Sequence, residues 1–167
     1  MKTDSNIILD TIQINQRIKR IAYQIYESNS NEKEVIIAGI VGNGYVFAEK
    51  IVSTLKEISG LKITICKVNI DKKKPLALIT TSLEIAAYKN KSLVLVDDVL
   101  NSGTTLIYGV KHFLNVPLKQ FKTAVLVNRN HKKYPVKADF KGVSLSTSIK
   151  EHIQVDFSST DSKAYLL

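Results

Sequence analysis

Residues 93–106 have the sequence Leu-Val-Leu-Val-Asp-Asp-Val-Leu-Asn-Ser-Gly-Thr-Thr-Leu, in which four apolar residues lead directly into two carboxylates. A continuous apolar run of this kind predicts a strand of a parallel sheet that is covered on both faces. Ser102 and Gly103 indicate a small polar turn, and residues 104–114 predict a helix. Because ligands bind beyond the carboxyl ends of the strands in such sheets, the stretch predicts both a fold class and a site.

The residues after the apolar run predict a cradle for a sugar phosphate. Backbone N–H groups of the turn and the positive end of the helix dipole suit a phosphate group. The hydroxyls of Ser102, Thr104 and Thr105 add donors, and Asp97 and Asp98 suit vicinal hydroxyls or a divalent metal. The alternative is a helix start with a capping serine and solvated acids. Two acids placed directly after the strand favour a ribose 5-phosphate site.

The rest of the chain alternates predicted strands and helices. Asp10 and Gln13 have capping-box spacing at the start of a helix that extends to about Glu27. The patterns that follow predict a strand at 34–40, a helix at 45–58, a strand at 61–68, a β-rich segment at 76–85, a strand at 121–127 and weaker strands at 138–143 and 153–157. We therefore expect an α/β fold, with a mainly parallel twisted sheet flanked by helices, in a single domain over 1–167.

The stretch at 93–106 closely resembles the thirteen-residue phosphoribosyl-pyrophosphate (PRPP) motif of type I phosphoribosyltransferases. Ile-Leu-Asp at 8–10 and Arg-Ile-Lys-Arg-Ile-Ala at 17–22 resemble the opening of one branch, the pyrimidine operon attenuator/uracil phosphoribosyltransferase family. Ala-Val-Leu-Val-Asn-Arg-Asn-His-Lys-Lys-Tyr-Pro-Val-Lys-Ala-Asp-Phe-Lys-Gly at 124–142 and Ser-Thr-Ser at 146–148 resemble that branch after its PRPP site. The likeness covers most of the chain.

The resemblance implies a reaction and assigns residues to it. The enzyme would transfer phosphoribose from PRPP to a nucleobase, uracil in this branch, and release pyrophosphate, with Mg²⁺ held largely by substrate oxygens. Asp97 and Asp98 would bind the ribose hydroxyls, and Arg129 would act in the active-site loop. The 5-phosphate would be held by Asn101, Ser102, Gly103, Thr104 and Thr105. The family also suggests a homodimer and an RNA-binding surface.

Gly42, Asn43 and Gly44 follow the strand at 34–40 and are expected to form the pyrophosphate loop, because an anion can be held there by backbone N–H groups. The alternative is a plain strand-to-helix turn. The relatives carry Thr-Arg-Gly at this place, and asparagine supplies no charge. Thr104 likewise stands where the branch usually has arginine.

Residues 69–81 take the place of the long polar loop that closes over PRPP in the relatives, but they are fewer and contain neither Tyr nor Arg. Lys72, Lys73 and Lys74 are either a solvated turn, which is the favoured interpretation, or a partial replacement for the missing cations. A site that closes poorly admits water and catalyses weakly. The alternative function is therefore a weakly active or inactive PRPP- or nucleotide-sensing regulator that binds RNA.

The net charge of +9 lies in residues 61–167, because residues 1–60 carry equal numbers of basic and acidic side chains. Lys132, Lys133 and Lys137 are the candidate contacts to RNA or another anion, and a composition that only keeps the protein soluble is the alternative.

A single cysteine, Cys66, excludes an intrachain disulfide. No apolar run approaches the ~20 residues of a membrane span, and the first residues lack a signal-peptide pattern. We expect a cytoplasmic protein without a membrane partner.

Overall fold

A central sheet carries the fold in the structure, a computed structural model that describes residues 6–148, 151–158 and 160–167. Along these residues the elements are β1 (Ile7–Leu9), α1 (Thr11–Ser28), β2 (Glu34–Ile40), α2 (Asn43–Ile58), β3 (Lys62–Asn69), β4 (Thr80–Thr81), α3 (Ile85–Tyr88), β5 (Ser92–Leu100), α4 (Thr104–Phe113), β6 (Gln120–Arg129), β7 (Phe140–Leu145), β8 (Ile153–Asp156) and β9 (Lys163–Leu166). The N-cap and first turn of α1 form the predicted capping box: Asp10 accepts from the N–H of Gln13, whose side chain accepts from the N–H of Asp10.

The large sheet has the strand order β4-β3-β2-β5-β6-β7, and all its neighbouring strands are parallel except β3 and β4. Gly39 of β2 pairs with Val96 of β5, and Asp97 pairs with Val125 of β6. This register places the carboxyl ends of β2, β5 and β6 side by side at one edge. The predicted α/β class with a mainly parallel sheet is confirmed.

Two apolar clusters cover the faces of the large sheet, as its continuous apolar strands require. One cluster joins α1 and α2 to the sheet and includes Ile14, Ile21 and Phe47. The other contains Leu106 and Phe113 of α4. The predicted helical period of α1 is confirmed, since its buried residues are Ile14, Ile18, Ile21, Ala22 and Ile25.

A small antiparallel sheet in the order β1-β9-β8 lies over the face that α1 and α2 cover. Val155 of β8 and Ala164 of β9 are buried in that cluster, and the ring of Phe157 stacks on Phe47 at 6.1 Å between centroids. Neither β1 nor β9 was predicted. β1 has three residues and its partner, β9, lies at the other end of the chain, so no local pattern indicates it. β9 has four residues and also pairs with the preceding strand β8, but so short a strand shows little alternation.

Two predicted elements differ from the structure. The strand that we expected to end at Val96 continues to Leu100, because β5 and β6 keep pairing beyond the apolar run. The β-rich segment at 76–85 is mostly not a strand: it holds only β4 and the start of α3, while Leu76 and Leu78 are exposed. Successive turns shape the segment before β4, with the N–H of Lys74 donating to Asp71 O and that of Ala77 to Lys74 O.

Among the residues described, no helix has the length and apolar character that crossing a bilayer requires.

Candidate functional site

The side chains at the carboxyl edge of the sheet come from β5, β6 and the loops after β2 and β3. The acidic pair lies within β5 rather than in a loop after it. The start of α2 packs directly on this pair: a Cβ added at Gly44 would lie 2.7 Å from Asp97 Oδ1 and 3.1 Å from its Cα. A glycine is therefore needed there for the helix N-terminus to approach the acids.

Asp97 is buried and Asp98 is partly buried. Asp97 Oδ1 accepts a hydrogen bond from the N–H of Asp98 at 2.9 Å and lies 3.7 Å from Lys72 Nζ. Burial, and next the charge of Asp98, raise the pKa of Asp97 to about 8, and Lys72 opposes this shift. The pair therefore suits an incoming cation or hydroxyl donors, either of which favours the ionised form.

Residues 101–105 form the turn between β5 and α4 that the sequence predicts as a phosphate cradle. Gly103 is the N-cap of α4 and has a left-handed backbone with φ 86°, which favours glycine. Ser102 Oγ accepts from the N–H of Thr104 at 3.3 Å and lies 2.9 Å from its hydroxyl. The N–H groups in the first turn of α4 have no intrahelical acceptor, as at any helix start, and those that follow Thr104 are available to an anion.

A pocket of about 90 Å³ lies between this turn and Asp97. Its lining consists of Lys72, Asp97, Val99, Leu100, Asn101, Ser102, Gly103, Thr104, Thr105, Leu106 and Val125. The structure thus brings Asp97 and the five residues predicted to bind the 5-phosphate to one cavity. Asp98, the neighbour of Asp97 on β5, is not part of its lining.

The loop after β6 holds the turn from its outer side. The N–H groups of Lys133 and Tyr134 donate to the carbonyl oxygen of Ser102 at 2.8 and 3.1 Å. A Cβ at Gly103 would lie 2.6 Å from Val136 Cγ1, so the two segments are in close contact. The shape of the cradle therefore depends on a segment about thirty residues further along the chain.

Arg129 lies at the end of β6 and is buried. Its Nε donates to Thr147 Oγ1 at 2.8 Å, Nη1 to Asn101 Oδ1 at 3.1 Å and Nη2 to the carbonyl of Ser148 at 3.0 Å. Every nitrogen of the guanidinium group thus has a partner within the protein. This arrangement ties the cradle to β6 and to the segment at 147–148, which is the geometry of a positioning residue.

The loop after β2 leads into the start of α2, and the side chain of its middle residue, Asn43, already has a hydrogen-bond partner. Gly42 has φ 102° and precedes α2 as its N-cap. Asn43 Nδ2 donates to the carbonyl of Val155 in β8 at 2.8 Å, so its side chain links the start of α2 to the small sheet. An anion at this loop would therefore be held by the backbone N–H groups of α2.

The three lysines at 72–74 are exposed in a turn, as the favoured interpretation predicts. Lys72 in addition reaches Asp97 and lines the pocket, which that interpretation did not include. The side chain of Asp71 accepts from the N–H groups of Lys73 and Lys74 at 2.9 and 3.2 Å. An aspartate just before a lysine run is a local turn signal, although it does not indicate which lysine points inward.

The three lysines predicted to contact RNA or another anion, Lys132, Lys133 and Lys137, are exposed on the loop after β6. Lys137 Nζ lies 3.8 Å from Asp139 Oδ1, and Lys133 Nζ lies 5.9 Å from the centre of the Tyr134 ring. They form a basic rim beside the turn at Ser102. Over the same described stretches, no group of three or more His, Cys, Asp or Glu side chains could hold a metal ion by itself.

Comparisons with known proteins agree with the resemblance in the sequence. A family model described as phosphoribosyl transferase domain matches residues 4–160. The chain is 30% identical over 167 residues to "Bifunctional protein PyrR" of Macrococcus caseolyticus, covering 96% of each chain. It is 31% identical over 171 residues to the protein of that name from Streptococcus mutans, covering 100% of this chain and 96% of that one.

Solved structures share the fold at lower identity. The hypoxanthine phosphoribosyltransferase of Trypanosoma cruzi superposes with a TM-score of 0.78 at 16% identity, covering 96% of this chain and 95% of that one. A hypoxanthine-guanine phosphoribosyltransferase from Bacillus anthracis gives a TM-score of 0.73 at 19% identity, covering 89% and 86%. These similarities support the same arrangement of sheet and helices.

Proposed function

Because the chain belongs to the phosphoribosyl transferase family, we propose that it transfers phosphoribose from PRPP to a nucleobase, with uracil as the base, and releases pyrophosphate. One observation carries this proposal: the buried Asp97 and the helix-start turn line the same pocket, and the partly buried Asp98 is next to Asp97 on β5. A ribose 5-phosphate carries both hydroxyls and a phosphate, so one ligand satisfies both parts of the site.

The site would act by positioning and by electrostatic stabilisation. The 5-phosphate binds the N–H groups at the start of α4 and the hydroxyls of Ser102, Thr104 and Thr105, while the ribose hydroxyls donate to Asp97 and Asp98. Pyrophosphate departure leaves positive charge on the sugar ring. Two fixed carboxylates below the ring stabilise that charge, because they need no reorganisation as it develops.

Family members generally use Mg²⁺, and the residues present fit a magnesium ion held largely by the substrate. Two adjacent carboxylates in a site without a larger cluster of protein ligands suit an ion that keeps most of its shell from phosphate oxygens and water. Asp97 and Asp98 would hold it. When bound, the ion supplies positive charge to the leaving pyrophosphate. The loop at Gly42, Asn43 and Gly44 has no charged side chain that could do so.

Arg129, expected from the sequence to be catalytic, takes a different part in this proposal. Its guanidinium group binds Asn101, Thr147 and Ser148, and so it fixes the cradle rather than the ligand.

A single domain over residues 1–167, a homodimer and a cytoplasmic location belong to the same proposal. The apolar contacts of β8 and β9 with the cluster under α1 and α2 support the single domain.

A screen of nucleobases with PRPP and Mg²⁺, following pyrophosphate release, tests the activity. We expect release with uracil and a loss of at least about 100-fold in kcat/KM when Asp97 and Asp98 are both changed to Asn, since two charge contacts to the transition state are removed. Lys56→Gln, at an exposed position in the last turn of α2, is the control. Release that is unchanged in the double variant would contradict the site.

A regulator that binds PRPP or a nucleotide and contacts RNA, with little turnover, is the second candidate. Two observations favour it: the Asn43 side chain is engaged by Val155, and the loop at 69–81 is short. Lys132, Lys133 and Lys137 would supply the basic surface. A normal steady-state rate with uracil removes this candidate. RNA affinity should fall steeply with salt, and the slope should flatten when the three lysines are changed to Gln.

A further inference from the structure

Lys72 brings a positive charge into the pocket where the proposed ligand's phosphate would bind. Its ammonium group lies 3.7 Å from Asp97 Oδ1, and it lines the same cavity as the turn at 101–105. Of the described residues that line this cavity, Lys72 is the one with a cationic side chain. Neither the capping of α4 nor the packing of the sheet requires a charge at this place.

The backbone on both sides of Lys72 is held, which fixes this lysine beside the cavity. Ile70 packs on α4, since a Cβ at Gly109 would lie 3.4 Å from Ile70 Cδ1. The side chain of Asp71 accepts the N–H groups of Lys73 and Lys74 and closes a tight turn. All three lysines of this turn are exposed, but of the three it is Lys72 that lines the cavity.

The ion pair between Lys72 and Asp97 is weak enough to be exchanged. A separation of 3.7 Å exceeds hydrogen-bond distance, and the Lys72 side chain keeps 50% of its surface exposed. A phosphate ester at the start of α4 carries nearly two negative charges and offers three acceptor oxygens. It therefore attracts the ammonium group more strongly than a single carboxylate does.

We propose that Lys72 is a phosphate-binding residue of the PRPP site, whose ammonium group leaves Asp97 and binds the ligand's 5-phosphate. This assignment rests on the proposed function and adds a residue to it. The exchange leaves Asp97 free to accept a ribose hydroxyl, so the same movement prepares both halves of the site. It also supplies a positive charge to a site in which the side chains of Arg129 and Asn43 are hydrogen-bonded to other protein groups.

Calorimetric titration of the full chain with PRPP and Mg²⁺, and separately with ribose 5-phosphate, tests the assignment. Lys72→Gln should weaken both ligands by about 10- to 100-fold, because both carry the phosphate ester and lose one charge-assisted contact. Lys72→Arg should recover part of the affinity. Lys73→Gln and Lys74→Gln lie in the same turn, remove the same charge and should stay within about twofold of the wild type.

Three results would overturn the assignment while leaving the proposed function intact. These are an affinity of Lys72→Gln within twofold of the wild type, tighter binding by that variant, or equal losses in all three Gln variants. A fourth result, a loss for PRPP but not for ribose 5-phosphate, would place Lys72 at the pyrophosphate and also overturn the assignment. A wild-type chain that binds neither ligand would instead refute the proposed function and this assignment together.

Discussion

Changing Asp97 to Asn should stabilise the protein, and the gain should increase with pH. In the folded chain the pKa of Asp97 is raised from 3.8 to about 8, by burial first and by Asp98 second. Well below pH 4 the carboxyl group is protonated in both the folded and the unfolded chain, so its protonation does not change the free energy of unfolding. As the pH rises from 4 to 8, only the unfolded chain loses the proton, and the free energy of unfolding falls. Asparagine does not titrate, and its Oδ1 can still accept from the N–H of Asp98.

The size of the effect follows from the slope for one proton. Each pH unit between the two pKa values lowers the stability of the wild type, relative to the variant, by about 1.4 kcal/mol. Between pH 5 and pH 7, both inside that window, the difference is about 3 kcal/mol. For a chain of this length 1 kcal/mol corresponds to about 2–4 °C in Tm, so the advantage of the variant should grow by about 6–12 °C.

Thermal unfolding of the wild type and Asp97→Asn at pH 5, 6, 7 and 8, without ligand, measures this difference. Glu57→Gln is a matched control, because it makes the same carboxylate-to-amide change at an exposed position on α2. Lys72→Met should lower the wild-type Tm at pH 7, since the lysine favours the ionised Asp97. A constant Tm difference between the wild type and Asp97→Asn, or a less stable variant at pH 7, would refute the reasoning.

Three further changes test the cradle and its supports. Gly103→Ala places a side chain at φ 86° and against the loop after β6, so it should lower the free energy of unfolding in urea by about 1–3 kcal/mol. The control Gly60→Ala, at a position with nothing within 4 Å of the added Cβ, should lower it by well under about 1 kcal/mol. Asn43→Ala removes one hydrogen bond to β8 and should lower stability by about 1 kcal/mol, with no matching loss of PRPP affinity. Arg129→Lys cannot reproduce three hydrogen bonds from one planar group, and it should cost about 3 kcal/mol and lower PRPP affinity; equal stability and affinity would contradict its positioning role.

The parts of the fold that were predicted from the sequence are those encoded locally. The strand at Glu34–Ile40 matches its predicted range, because a β-branched run bounded by polar residues and glycine specifies a buried strand by itself. The capping box at Asp10 and Gln13 is likewise a contact within three residues. The predicted end of β5 was too early, because the strand keeps pairing with β6 beyond Val96, where two aspartates interrupt the apolar pattern.

The parts that were missed depend on contacts between distant residues. β1 pairs with β9, which lies at the other end of the chain. The sequence indicated Asn43 and Arg129 as site residues, but their partners Val155 and Ser148 are far from them in the sequence, so no spacing pattern relates them. The position of Lys72 beside Asp97 is likewise a contact between residues that are distant in the sequence. Roles of individual polar side chains therefore required the structure, even where the motif was evident.

Calorimetric titration of the wild type and the Asp97→Asn/Asp98→Asn double variant with PRPP and Mg²⁺ tests the central claim most directly. The wild type should bind one equivalent, and the double variant should bind at least about 100-fold more weakly, because both carboxylates that receive the ribose hydroxyls are gone. Since removal of the Asp97 charge is expected to stabilise the fold, unfolding cannot account for such a loss. No binding by the wild type, or unchanged binding by the double variant, would contradict the assignment of this edge of the sheet as a PRPP site.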